Sequence, residues 1–80
     1  MNASLSERVR ATVAATLGLP LSAITLETST ENNDTWDSLA QVNLMLAVEQ
    51  TFAIEFEVED FMSLTSVQSI VRHLEALGLT

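Results

Sequence analysis

Eighty residues, 48% of them hydrophobic, suffice for one small packed domain, expected over residues 1–80, and are too apolar for a disordered acidic tail. Eleven acids against Arg8, Arg10 and Arg72 give a net charge of -8, which argues against nucleic acid and anionic membrane surfaces and favours partners with basic patches. The absence of cysteine excludes a disulfide framework and a thiolate metal site.

Ser4-Leu5-Ser6-Glu7 has the form of a capping box and predicts a first helix, with Leu5, Val9, Val13 and Thr16/Leu17 on its inner face. Gly18 stands where a C-terminal cap belongs, and Pro20 blocks resumption. Residues 18–36 then read as a long loop pinned by Leu19, Leu21, Ile24 and Leu26, with the polar run from Thr28 to Thr35 exposed. Asp37 is a suitable N-cap for a second helix from Ser38 to about Phe52. Ala53-Ile54-Glu55-Phe56 is expected to be an extended connector. Val58, Phe61 and Met62 suggest one short helix. Thr65-Ser66-Val67-Gln68 resembles another capping box, before a final helix striped by Val67, Ile70, Val71, Leu74 and Leu77 and stopped by Gly78. The predicted fold is all-α: a small bundle of three main helices plus a short one, with a long loop between the first and second.

The second helix carries more apolar surface than one buried face requires. At about 100° per residue, Leu44, Met45, Val48 and Phe52 share one sector, assigned to the core. Leu39, Val42 and Leu46 fall in a separate sector, bordered by Ser38 and Glu49 on one side and by Asn43 and Gln50 on the other. That second stripe either packs under the long loop or is an exposed docking surface for partners, and its contiguity with Ser38 favours docking.

Ser38 opens this helix within Trp36-Asp37-Ser38-Leu39. A serine has little nucleophilic power without an adjacent base. His73 is the only imidazole, it lies on another helix at an expected surface position, and no Gly-x-Ser-x-Gly turn is present. Chemistry at Ser38 is therefore expected to be performed by another protein, and the chain is not expected to be an enzyme. Asn32 to Asp37 is rich in oxygen but lacks the glycine and glutamate spacing of a calcium loop, so no metal site is expected.

With Asp37-Ser38-Leu39 at this helix start, the chain resembles the acyl carrier protein family over nearly its full length. The resemblance implies that Ser38, flanked by Asp37 and Leu39, bears a 4'-phosphopantetheine arm drawn from coenzyme A by a phosphopantetheinyl transferase. The arm ends in a thiol that holds acyl groups as thioesters, as in fatty acid or polyketide biosynthesis. It further implies that the second helix and its acids dock basic patches on partner enzymes, with Glu49 matching an acid on the family's second helix, beside the stripe of Leu39, Val42 and Leu46. The implied partners are the transferase, an acyl-loading ligase or transferase, and downstream acyl-using enzymes. Thr35 stands where many members have glycine, and past Asp37 the second helix keeps only Glu49; the other acids gather at Glu55, Glu57, Glu59 and Asp60. This form looks like the stand-alone carriers of specialised pathways. An aminoacyl or peptidyl carrier and an unmodified acidic helical adaptor are the alternatives. The N-terminus lacks the basic and apolar segments of a secretion signal, and the longest apolar run, Leu44 to Val48, is too short to span a bilayer. A cytoplasmic monomer is expected.

Overall fold

The computed structural model describes residues 4–79; Met1 to Ala3 and Thr80, at the ends of the expected 1–80 domain, lie outside them. Four helices follow in order: α1 (Leu5–Leu17), α2 (Ser38–Phe52), α3 (Val58–Ser63) and α4 (Val67–Ala76), with no strand among the described residues. The all-α bundle is as the sequence predicts.

α1 begins where Ser4 Oγ accepts the Glu7 N–H, and it ends at Gly18, whose φ of 69° is the left-handed cap geometry that glycine adopts without strain. The Leu19 N–H returns to the Ala14 carbonyl at 3.0 Å and closes the last turn. Leu5, Val9, Val13, Ala14 and Leu17 are buried, against α2 and α4. Two of the three arginines lie along this helix and serve packing. Arg8 stacks 4.5 Å over the Phe52 ring, and Arg10 Nε donates to the Ile24 carbonyl at 2.7 Å.

The loop from 18 to 36 is held differently from the prediction. Ile24 is fully buried and Leu19 half-buried, but Leu21 and Leu26 are exposed. Leu21 instead opens a single helical turn, Leu21–Ala23. Main-chain hydrogen bonds do the remaining pinning. The Val67 N–H donates to the Thr28 carbonyl (2.9 Å), Gln68 N–H to Leu26 (3.2 Å) and Thr30 N–H to Thr65 (3.0 Å). These bonds strap the loop to the start of α4 through a bridge between Ser29 and Ser66. Thr28, expected to be exposed, is buried, and its hydroxyl accepts the Thr25 N–H at 2.9 Å.

The strap also corrects the start of α4. Thr65 is committed to the loop, so the cap falls one residue later. Ser66 and Ser69 exchange hydrogen bonds, each hydroxyl accepting the other's N–H at 3.1 Å. Val67, Ile70, Val71 and Leu74 are buried as predicted, whereas Leu77 caps the helix and is exposed.

α3 forms where Val58, Phe61 and Met62 suggest it, yet it contributes no fully buried residue. Only Phe61 packs on the core, edge to face with Phe56, while Val58 and Met62 stand in solvent. The connector before it does not run extended from its start: Ala53 takes a left-handed φ of 55° as the cap of α2, and Glu49 fixes the stretch that follows, its Oε2 accepting the Phe56 N–H at 2.7 Å. His73, expected at the surface, is partly covered there: its ring centroid lies 5.4 Å from that of Phe56 and its Nε2 3.8 Å from Asp60 Oδ2.

Candidate functional site

The site begins in a turn. Asn33 accepts the Thr35 N–H through Oδ1 and the Trp36 N–H through its carbonyl, both at 3.1 Å. This turn sends Trp36 inward, where it is 1% exposed, and leaves Asp37 and Ser38 at the surface. Asp37 caps α2: its Oδ1 accepts the Ala40 N–H and its carbonyl accepts the Gln41 N–H, both at 2.9 Å. The Gln41 bond is the first of the helix itself, so among the N-terminal amides without a helical acceptor the Asp37 side chain satisfies that of Ala40. Those of Ser38 and Leu39 remain open among the described residues.

Gln41 and Trp36 fix the base of this turn from inside. Trp36 Nε1 donates to Gln41 Oε1 at 2.6 Å, and Gln41 Nε2 donates to the carbonyls of Leu64 (2.8 Å) and Phe61 (3.2 Å). Every buried polar side-chain atom among the described residues has a partner. The sequence reading placed neither residue in the core. A signal existed for Gln41: with Ser38 at zero it falls at about 300° on the helical wheel, within the sector of Leu44, Met45, Val48 and Phe52. A polar residue at a core position calls for an internal partner, and the tryptophan five residues earlier is one.

Beside Ser38 an open groove of about 670 Å³ runs between α2 and α3. Asp37, Ser38 and Val42 form one side, Phe61 and Met62 the other; Trp36 and Gln41 also line it, with Thr30 and Thr65 as further polar lining. The second apolar stripe of α2 is exposed as predicted: Leu39 is 70% exposed, Val42 and Leu46 45% each. Met62, at 79%, extends the apolar surface across the groove from Val42, a contribution the sequence reading missed. Glu49 borders the stripe, half-buried, with one carboxylate oxygen already held by the connector. His73 does not line the groove.

A solvent-exposed serine at the first position of a 15-residue helix, with open backbone N–H groups beside it, is suited to bear a phosphodiester. These features make Ser38 a candidate attachment residue. Comparison with known proteins shows the family. The family described as "Phosphopantetheine attachment site" matches residues 7–74. "Acyl carrier protein 3" of Ralstonia nicotianae is 31% identical over 75 residues, which covers 94% of this chain and 86% of that protein. The chain belongs to the acyl carrier protein family: it is a carrier whose cofactor is a covalently attached 4'-phosphopantetheine. The arm supplies the terminal thiol that this cysteine-free chain lacks.

Proposed function

We propose that Ser38 is the attachment residue, and that the protein carries acyl groups as thioesters and presents them to partner enzymes without catalysis of its own. The observation that carries this reading is the exposed Ser38 hydroxyl at the start of α2, within Asp37-Ser38-Leu39. Attachment forms one P–O bond at Ser38 Oγ and breaks the phosphoanhydride of coenzyme A, whose nucleotide half leaves as adenosine 3',5'-bisphosphate. The hydroxyl proton leaves to a base on the transferase, because the one imidazole of this chain does not line the groove. The helix N-terminus then favours the phosphodiester charge by about 0.3–1 kcal/mol. Asp37 holds the helix start in shape, and Leu39, exposed next to Ser38, is the first apolar contact for an incoming enzyme.

Docking runs along Leu39, Val42 and Leu46, with Glu49 at the edge of the stripe. Glu55, Glu57, Glu59 and Asp60 follow on the connector and α3, so the partner face is apolar with a basic rim. Such partners are the phosphopantetheinyl transferase, an acyl-loading ligase or transferase and downstream acyl-using enzymes. The protein acts as a monomer in the cytoplasm. No helix among the described residues is long and apolar enough to cross a membrane.

Incubation with coenzyme A and a broad-specificity transferase, followed by intact-mass analysis, tests the reading. One phosphopantetheine adduct is expected on the wild type and none on Ser38→Ala. An unchanged wild-type mass with several competent transferases supports the unmodified adaptor instead.

A further inference from the structure

The groove beside Ser38 has a base unlike its walls. Val42, Phe61 and Met62 give it apolar sides. Gln41, at 6% exposed, and Trp36, at 1%, close it beneath. Gln41 uses both amide donors and its oxygen: it accepts from Trp36 Nε1 and donates to the Phe61 and Leu64 carbonyls. These bonds tie α2 to the turn before it, to α3 and to the residue after α3. They cross the seam by which anything tethered to Ser38 reaches the core.

The geometry points to a latch: the Trp36–Gln41 pair shuts the bundle interior to the cargo, so this carrier displays its acyl chain at the surface instead of storing it inside. The inference rests on Ser38 bearing the arm. Inserting a chain beyond the groove base separates Gln41 from its partners and strands the Trp36 N–H and two carbonyls in apolar surroundings. The methylenes so buried must first offset that loss. A surface display suits short or polar acyl groups, which lose little by staying in water.

The test loads the protein from butyryl-, octanoyl- and dodecanoyl-coenzyme A with a transferase that installs the acylated arm whole, and follows thermal melts and Trp36 fluorescence. Trp36 is the only tryptophan, so emission reports the latch directly. The three loaded forms are expected to melt within about 2 °C of one another, with the emission maximum unchanged. A chain buried in the interior raises the melting temperature by about 5 °C or more for each added pair of methylenes, by transfer energy and domain size. That rise, or an emission shift that grows with chain length, overturns the latch. Gln41→Ala is expected to acquire the length dependence; a folded Gln41→Ala that stays length-independent also overturns the latch. The wild-type series decides the exclusion even if that variant fails to fold. Absence of the mass increment on loading speaks against Ser38 as the attachment residue; a normal increment with length-dependent melting speaks against the latch alone.

Discussion

α2 and α4 both lie against the core, and they differ in what they leave outside. α4 spends its apolar residues inward: Val67, Ile70, Val71 and Leu74 are buried, and the residues between them are polar or half-buried. α2 buries Leu44, Met45, Val48 and Phe52 and still presents Leu39, Val42 and Leu46 to solvent. One buried stripe is what folding requires of a helix. The apolar surplus on α2, next to the exposed Ser38, exceeds what folding requires.

The largest expected effect lies on the folding side of that contrast. Val48 is fully buried, and Val48→Glu places an unpaired charge in the core at a cost of about 3–5 kcal/mol. For a small domain this is most of the stability, so circular dichroism is expected to show an unfolded or nearly unfolded chain. A cooperative melt close to wild type would remove Val48 from the core.

Next comes the interior support of the site. Trp36→Phe leaves Gln41 Oε1 without its donor and is expected to cost about 1–3 kcal/mol in urea unfolding. No change would mean that the 2.6 Å bond contributes nothing to stability.

The two helix caps sharpen the comparison. Asp37→Ala and Ser66→Ala each remove a capping oxygen and are each expected to cost about 1 kcal/mol. Only Asp37→Ala is expected to slow transferase modification as well, because only that cap sits beside Ser38. Equal modification rates in the two variants would make Asp37 an ordinary cap.

A smaller effect of opposite sign is expected at the far end of α2. Ala53 holds a left-handed φ of 55°, which costs an alanine and suits glycine. Ala53→Gly is expected to raise stability by about 0.5–1 kcal/mol, seen as a higher melting temperature.

The helices and the exposed stripe were legible in the sequence because they follow from local periodicity. Ser38 at the start of α2 followed from the same periodicity and from Asp37 as a cap. What escaped depends on partners distant in sequence. Thr28 is polar and buried because Val67 claims its carbonyl, and the start of α4 moved by one residue because Thr65 was committed to the same strap. Gln41 looked like a surface residue because its reason for burial, the carbonyls of Phe61 and Leu64, lies some twenty residues on. α3 shows the converse: its apolar spacing announced a helix, but Val58 and Met62 face solvent and Phe61 alone packs inward.

The most direct test of the contrast is Leu46→Glu, read by two instruments on one sample. Leu46 is half-exposed, so its melt is expected to stay within about 0.5 kcal/mol of wild type, as surface changes do. The rate of phosphopantetheine transfer to Ser38 is expected to fall sharply, through lost apolar contact with the transferase. If Leu46→Glu unfolds the chain as Val48→Glu does, or keeps the wild-type transfer rate, the exposed face of α2 is not the docking surface.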